Sequence, residues 1–249
     1  MQNCNPVSTP LESKQRLTAS TDGEPRVNSA TYQQIIGSIM YLATGTRPDL
    51  AYTITHLSQY NSDPSVTHMS TAKRVLRYIK GTRDIKLTYK SQSPLVLNGY
   101  SDASYGNCLD TRRSFAGYIY QLGESTFSWR ARKQKSVATS TCEAEYMALS
   151  SATKQFIWIV RGLHQLISKD IPATLSTDNI SAIDLAHNPR LNDATKHIDI
   201  NFHNVREKVE DGTLTLLHIS SDKNLADIVT KSLPKPRLSH LCNCIFGTK

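Results

Sequence analysis

The stretch FAGYIYQLGESTFSWRARKQKSVAT, residues 115–139, decides the fold because it contains two strand patterns joined by one turn. FAGYIYQL and TFSWRARKQKSVAT alternate apolar and polar positions, which is typical of half-buried strands. Gly123 lies between them and marks the turn. Just upstream, LVLNGYSDASYG has a short apolar strand that runs into a polar turn. Three strands in succession predict an antiparallel meander.

Helical and strand patterns alternate after the meander. A long helix is predicted from about residue 141 to residue 166, and the strand PATLSTD follows it. Next come the helix ISAIDLAH, a polar loop, the helix IDINFHNVREKVEDG, the strand TLTLLHIS and the helix LADIVTK. This mixture predicts an α/β or α+β fold, in which helices pack on a layered sheet.

The chain before the meander has a different pattern. Residues 1–27 are rich in Ser, Thr, Asn and Pro, which predicts a poorly ordered lead-in. Residues 28–93 contain three helical patterns, interrupted at GTRP and stopped at Gly81. We therefore divide the chain into a lead-in at 1–27, a small helical segment at 28–93, a sheet domain at 94–235 and a C-terminal tail at 236–249.

Composition limits the class of protein. The formal charge of +8 favours a polyanionic partner without naming one. The longest apolar runs are shorter than the roughly 18 residues that a membrane-spanning helix needs, and the N-terminus lacks the pattern of a secretory signal. We therefore expect an intracellular, cytoplasmic protein that is neither secreted nor membrane-bound.

The cysteines are odd in number and scattered, which predicts reduced thiols rather than a disulfide framework. His240, Cys242 and Cys244 form a cluster that offers three zinc ligands, whereas a closed structural site needs four. We therefore keep zinc only as a remote alternative.

CEAEYMALSS, residues 142–151, places two glutamates at the start of the long helix. At about 100° per residue, Glu145 aligns with the apolar stripe that includes Leu149 and Phe156, so it points towards the sheet. Glu143 lies on the polar side and fits a capping box with Ser140, which predicts a structural role. An ionised carboxylate on a core-facing stripe is costly, so Glu145 needs compensation from another element.

The sequence offers acidic residues for this purpose rather than an obvious base. Asp102 and Asp178 end two strands, and Asp227 opens the last helix. Carboxylates that converge at strand ends repel one another unless hard cations lie between them. With Glu145 they predict a divalent-metal cage, in which two Mg²⁺ ions about 3.5 to 4 Å apart would cut a nucleic-acid backbone. Singly, each aspartate also fits a turn, a helix N-cap or a first helical turn.

Several motifs resemble the ribonuclease H domain of the Pol polyproteins of copia-type LTR retrotransposons. They are YSDASYG, TRRSFAGYIY, SWRARKQKSVATSTCEAEYMALSSA, STDNISAI, TKHIDI and NLADIVTKSLP. Upstream, SATYQQIIGSIMYLATGTRPDLAYTITHLSQY and AKRVLRYIKGT resemble the segment that links the reverse transcriptase to that domain. The resemblance covers about residues 27–235. The paired-aspartate motif of a polymerase is absent from the sequence, so we expect a C-terminal part of a Pol reading frame that cannot polymerise by itself.

The resemblance implies a ribonuclease H-like five-stranded mixed sheet flanked by helices and preceded by a small helical connection or thumb-like segment. It implies endonucleolytic hydrolysis of the RNA strand of RNA/DNA hybrids with two Mg²⁺ ions, or Mn²⁺ in their place. The implied catalytic and metal-binding residues are Asp102, Glu145, Asp178 and Asp227. The implied partners are the hybrid and the reverse transcriptase portion of the polyprotein, with no membrane and no small-molecule cofactor. Glu143 and His197 also belong to the family motifs; a direct role for Glu143 stays open, and a structural role is favoured for His197.

Two groups of basic residues are candidates for contacts with nucleic-acid phosphates, although an ordinary solvated surface explains each about as well. The first group, which we name the basic ridge, lies on one face of the third helix and consists of Lys73, Arg74, Arg77 and Lys80. The second group lies on the second predicted strand of the hairpin and consists of Arg130, Arg132, Lys133 and Lys135. Ser104 and Asn179 are candidates for sensing the 2′-hydroxyl of RNA.

Two other functions stay open at this point. The first is a catalytically silent relic of a retrotransposon reading frame, which would bind a hybrid without cutting it. The second is an integrase or transposase, which shares the general fold and metal chemistry. In those enzymes the glutamate is the last of the acids, whereas Glu145 lies between Asp102 and Asp178. The acid order therefore disfavours the second alternative.

Overall fold

The computed structural model describes residues 3–13, 15–91, 93–187 and 199–247. Within these ranges the strands are β1 Leu97–Ser104, β2 Phe115–Leu122, β3 Ser125–Lys133, β4 Ala173–Thr177 and β5 Thr215–His218. The α-helices are α1 Ser29–Gly45, α2 Ala51–Leu57, α3 Val66–Gly81, α4 Thr141–Ile167, α5 Ile180–His187, α6 Asp199–Glu210 and α7 Lys235–Phe246. None of the helices in the described ranges is long and apolar enough to cross a membrane.

The five strands form one mixed sheet in the order β3-β2-β1-β4-β5. β1 is antiparallel to β2 and parallel to β4, and β4 is parallel to β5. The β2–β3 hairpin turns at Gly123, whose φ of 60° lies in the left-handed region that favours glycine. The predicted five-stranded mixed sheet is therefore confirmed.

α4 covers one face of the sheet. The Ser140 hydroxyl accepts a hydrogen bond at the N-terminus of this helix, and Ser168 ends the helix in the left-handed conformation. The stripe predicted to be apolar is buried, and the ring of Phe156 lies 5.9 Å from that of Tyr120 in β2. The Tyr120 hydroxyl donates to the Ala152 carbonyl at 2.7 Å, so its polar end is satisfied inside the core.

The opposite face of the sheet is covered by α1, α2, α3 and α7. Buried residues of these helices share one apolar core with Ile119 of β2 and Val229, which lies in a 3₁₀ helix at Leu225–Val229. Trp129 of β3 donates from Nε1 to the Ala43 carbonyl of α1 at 2.7 Å. The helices of residues 28–93 are thus packed directly on the sheet.

The first and last segments of the chain are also packed. Leu11 and Leu17, within the expected poorly ordered lead-in, are each only 2% exposed, and Arg26 forms a β-bridge with Ser65. The expected C-terminal tail forms α7, which buries Phe246. Leu11 and Leu17 are isolated apolar residues that fill gaps between elements distant in the sequence. No local sequence pattern therefore predicts their burial.

Candidate metal centre

Three carboxylates from separate elements meet at one end of the sheet. Asp102 lies near the end of β1, Glu145 in the second turn of α4, and Asp178 directly after β4. One oxygen from each carboxylate lies within 4.8 Å of the others. Asp102 and Glu145 are buried and Asp178 is half-buried. The structure therefore brings three of the four predicted acids together in one group.

The parallel pairing of β1 and β4 explains why the two aspartates meet. Tyr100 of β1 is the register partner of Ser176 of β4. Asp102 and Asp178 each lie two residues further along, and side chains two positions apart on a strand share a face. Glu145 joins them from α4, which packs against β1 through its buried stripe.

Of the two buried acids, Glu145 has the more strongly raised pKa. Its side chain is buried, and Oε2 has no hydrogen-bond partner among the described residues. Burial, together with the charges of Asp102 and Asp178, raises the pKa of Glu145 to about 9, although the backbone N–H of Ala103 opposes the shift. Without a bound cation, Glu145 is therefore protonated at neutral pH.

Asp102 is buried but has hydrogen-bonding and charged partners. The Thr230 hydroxyl donates to Asp102 Oδ2. Burial raises the pKa of Asp102 to about 6, and the nearby Lys231 opposes this shift. Asp102 therefore keeps its negative charge at neutral pH while Glu145 does not.

Asp227 lies beside this group but is paired with two cations. Lys231 Nζ lies 2.7 Å from Asp227 Oδ1 and 3.5 Å from Asp102 Oδ2. Arg237 Nη2 lies 3.1 Å from Asp227 Oδ2. Burial opposes the charge of Lys231, but the two carboxylates outweigh it and raise its pKa. The sequence offers no obvious base for this site, and the position of Lys231 corrects that expectation. The only signal in the sequence is the four-residue spacing from Asp227 to Lys231.

The helix-capping role that the sequence also allows for Asp178 is performed by its neighbour Asn179. Asn179 Oδ1 accepts from the backbone N–H of Ala182 at 2.9 Å, which makes Asn179 the cap of α5. Asp178 instead accepts from the Ser221 hydroxyl at 2.6 Å. Asp102 likewise lies within β1 rather than in a turn.

The donor set fits a hard divalent cation. Carboxylate oxygens are the ligands that Mg²⁺, Mn²⁺ and Ca²⁺ prefer. The unpartnered buried oxygen of Glu145 is an acceptor that such a cation would satisfy. Asp102, Glu145 and Asp178 are thus the residues that would hold an ion.

Comparison with known proteins identifies the relatives of this chain. It is 36% identical, over 99% of its length, to the retrovirus-related Pol polyprotein from transposon TNT 1-94 of Nicotiana tabacum. It is 38% identical, over 94% of its length, to the retrovirus-related Pol polyprotein from transposon RE2 of Arabidopsis thaliana. The chain belongs to the copia-type retrotransposon Pol polyproteins. It spans only 19% and 16% of the length of these two relatives.

No protein-family model matches this Pol segment. Among solved structures, it is similar to LC11-RNase H1 isolated from compost, with 17% sequence identity and a TM-score of 0.39. That similarity covers 55% of this chain and 93% of the solved chain.

Glu143 has the structural contacts of a helix cap. Its backbone N–H donates to the Ser140 hydroxyl at 3.1 Å, as the predicted capping box requires. Its carboxylate accepts from the backbone N–H of Thr139 at 2.7 Å, one residue before the predicted donor. In the structure, Glu143 therefore holds the turn that leads into α4 and is outside the group of three acids.

A groove of about 730 Å³ runs between α4 and the strands β2 and β3 of the Pol segment. Gly117, the register partner of Asp102, lies in it. Three residues of the predicted phosphate-binding group line it, namely Arg130, Arg132 and Lys135. Lys133 lies on the other face of β3, where its Nζ contacts Gln59 Oε1. Strand alternation explains the separation, since positions 130 and 132 share a face and 133 does not.

The basic ridge is largely engaged by the N-terminal segment. Arg74 pairs with Glu12 at 2.9 Å, Arg77 donates to the Asn5 carbonyl at 2.7 Å, and Lys80 donates to the Cys4 carbonyl at 3.0 Å. Lys73 is exposed. The structure therefore gives three of these four residues a role in holding residues 4–12 on α3, and phosphate binding by the ridge stays a prediction.

The remaining candidates are dispersed. Ser104 ends β1 two residues after Asp102, which leaves it near the acidic group. His197 lies outside the described residues. On α7, Cys242 is buried while His240 and Cys244 are exposed, and in the described part of the chain these three are not gathered into a metal-binding group.

Proposed function

We propose that this Pol segment is a divalent-metal-dependent endonuclease of the ribonuclease H type. Its substrate is the RNA strand of RNA/DNA hybrids, and Mg²⁺ is the proposed ion, with Mn²⁺ as a substitute. The convergence of Asp102, Glu145 and Asp178 on one point carries this proposal. Acidic side chains from β1, α4 and the end of β4 have no comparable reason to meet in a purely structural protein.

Each carboxylate of the centre has its own proposed role. When bound, the ion supplies a Lewis acid that activates water and neutralises charge on the phosphodiester. Asp102 is oriented by the Thr230 hydroxyl and Asp178 by the Ser221 hydroxyl, so both oxygens are fixed before an ion arrives. Glu145 holds its proton until a cation compensates its burial, because the neutral form is favoured in the metal-free site.

The groove supports a nucleic-acid substrate. Its basic side chains Arg130, Arg132 and Lys135 lie on the side of the sheet where α4 carries Glu145. Guanidinium and ammonium groups bind phosphates along a backbone without selecting a base sequence. We propose that the hybrid lies in this groove and that its RNA strand reaches the acidic group.

The proposal extends to the surroundings of the enzyme. Residues 28–93 correspond to the connection between the reverse transcriptase and the nuclease domain at 94–235, and the reverse transcriptase portion of the polyprotein is the proposed partner. The proposed site of action is inside the cell.

Cleavage of a doubly labelled hybrid tests the proposal. We expect the purified chain to cut the RNA strand and spare the DNA strand in the presence of Mg²⁺. The Asp178→Asn substitution should lower the rate at least about 10²-fold, because it removes one of the three carboxylates proposed to hold the ion that stabilises the transition state. The exposed Asp84→Asn serves as a matched control and should keep the wild-type rate.

A wild-type chain that binds the hybrid and leaves it uncut with either Mg²⁺ or Mn²⁺ would reject the enzyme. That result would instead support the silent nucleic-acid-binding relic.

A further inference from the structure

The fourth predicted metal ligand, Asp227, is engaged in a different way from the other three acids. Its Oδ1 faces Lys231 Nζ at 2.7 Å and its Oδ2 faces Arg237 Nη2 at 3.1 Å. Arg237 is itself fixed, because it donates to the backbone carbonyls of Ser221 and Asn224. Both oxygens of Asp227 thus lie within ion-pair distance of cations that the chain supplies, although Oδ1 accepts no hydrogen bond among the described residues.

Lys231 lies where positive charge is needed between two carboxylates. Its Nζ is 2.7 Å from Asp227 and 3.5 Å from Asp102. Lys231 follows Thr230, whose hydroxyl donates to Asp102, so the backbone that carries the lysine is tied to the centre. Two-ion nucleases place a second cation between carboxylates to stabilise the leaving oxygen. An ammonium group, with three donors and a full charge, also stabilises charge on phosphate oxygens.

The carboxylates on the two sides of the centre therefore differ in whether a cation of the chain already pairs with them. On one side, Glu145 is only 5% exposed, and its Oε2 has no hydrogen-bond partner among the described residues. On the other side, Asp227 Oδ1 also accepts no hydrogen bond there, but Lys231 Nζ lies 2.7 Å from it, and Arg237 pairs with Oδ2 at 3.1 Å. Glu145 therefore needs a bound ion, whereas Asp227 already has cations of the chain beside it.

We infer that the centre takes one divalent ion, on Asp102, Glu145 and Asp178, and that Lys231, held by Asp227, supplies the second positive charge in place of a second ion. Asp227 is then an anchor for the lysine rather than a ligand. This inference rests on the proposed function. It lowers the number of bound ions from the two expected from the sequence to one.

Counting bound Mn²⁺ tests the inference without relying on activity. Free Mn²⁺ is followed by electron paramagnetic resonance during titration of the full chain, alone and with a hybrid whose RNA strand carries 2′-O-methyl groups that prevent cutting. Ions bound by the hybrid alone are subtracted. We expect one Mn²⁺ per wild-type chain in both conditions.

Three substitutions identify the role of Lys231. Lys231→Gln should bind a second Mn²⁺ in the hybrid complex, because the position between Asp102 and Asp227 is then open to an ion. Lys231→Arg keeps the charge and should still bind one. Lys235→Gln removes an exposed lysine from α7 and should match the wild type.

The outcomes separate the inference from the proposed function. Two ions in the wild-type hybrid complex would overturn the role of Lys231 and leave the metal-dependent nuclease intact, even if Lys231→Gln failed to fold. A count that stays at one in folded Lys231→Gln would also overturn it. A wild-type chain that binds no Mn²⁺ would reject the metal centre itself, and the proposed function with it.

Discussion

Glu145 and Glu143 show how two identical side chains two positions apart on one helix acquire different properties. Glu145 faces β1 and two other carboxylates, so its proton is retained until a cation is present. Glu143 faces the turn before the helix, where backbone and hydroxyl donors of Thr139 satisfy it. The difference follows from the helical period, which turns successive positions by about 100°.

Glutamine substitutions separate the two roles. Glu145→Gln should abolish Mg²⁺-dependent cleavage, because an amide does not replace a charged metal ligand. Glu143→Gln should keep most of the activity and lower the free energy of unfolding by about 1 kcal/mol through a weaker cap contact. Cleavage rates and urea unfolding measure the two effects. Loss of cleavage in a well-folded Glu143→Gln chain would mean that Glu143 acts in the reaction.

The pKa of Glu145 makes the stability of the metal-free chain depend on pH. Its ordinary pKa of 4.5 is raised to about 9 in the folded chain. Between these values the folded chain keeps a proton that the unfolded chain releases, so the free energy of unfolding falls as the pH rises. We expect urea unfolding in EDTA to show a lower stability at pH 8 than at pH 5.

Glu145→Gln is the control for that pH dependence, since an amide does not titrate. The substituted chain should lose less stability over the same interval than the wild type. Asp102 contributes in the same direction, but only up to its pKa of about 6. Equal pH slopes above pH 6 in the two proteins would rule out Glu145 as the source.

At the scale of elements, the 3₁₀ helix Leu225–Val229 lies against β2 at Gly117. A Cβ at Gly117 would lie 2.6 Å from Val229 and 2.6 Å from the Arg130 carbonyl, closer than real contacts allow. The absent side chain lets the 3₁₀ helix bring Thr230 and Lys231 to Asp102, which is paired with Gly117 across the sheet. The sequence predicts an α-helix for LADIVTK, and the close approach is a property of the packed structure.

Gly117→Ala should therefore disturb the metal centre, although Gly117 is not one of its ligands. We expect a loss of about 1 to 3 kcal/mol in the free energy of unfolding from overpacking, together with weaker Mn²⁺ binding. Gly37→Ala on the exposed side of α1 is the matched control, because its Cβ would meet no described atom within 4 Å apart from its chain neighbours and the nearby backbone of its own helix. It should raise stability by up to about 1 kcal/mol. If the two variants behave alike in urea and in Mn²⁺ titration, the packing at Gly117 is unimportant.

Strands and helices whose apolar residues recur with a clear period could be predicted from the sequence. Contacts made by long or isolated side chains could not. The meander and the inward direction of Glu145 follow from periods of two and 3.6 residues. The same alternation separates Lys133 from Arg130, a distinction that the sequence analysis left out. Asp178 and Asn179 are both good helix caps, so only the structure decides between them. The position of Lys231 Nζ depends on a flexible side chain and on tertiary packing.

At the scale of the whole molecule, the N-terminal segment ties the helical part to the rest. Leu11 packs with Tyr52 of α2 and with Cys108 and Phe115 of the sheet domain. Leu17 belongs to the core between the helices and the sheet. Arg74 and Arg77 of the basic ridge hold the same segment from α3. A short stretch that is poor in apolar residues thus joins several distant elements.

Truncating its buried leucine should be costly. Leu17→Ala should lower the free energy of unfolding by about 2 to 5 kcal/mol, because it leaves a cavity in a packed core. Leu166→Ala removes the same atoms from a residue that is 82% exposed and should change stability by less than about 0.5 kcal/mol. Chemical denaturation of both variants gives the comparison. A small effect of Leu17→Ala would show that the segment adds little to the fold.

The hydrogen bond from Thr230 to Asp102 joins positions 128 residues apart. On a ribosome the strand that carries Asp102 emerges well before Thr230 and Lys231, since synthesis proceeds at about 5 to 20 residues per second. During that interval Asp102 lacks both its hydroxyl donor and its ammonium neighbour. A nascent chain therefore holds an unfinished centre, and the centre is completed only after translation has passed Thr230 and Lys231.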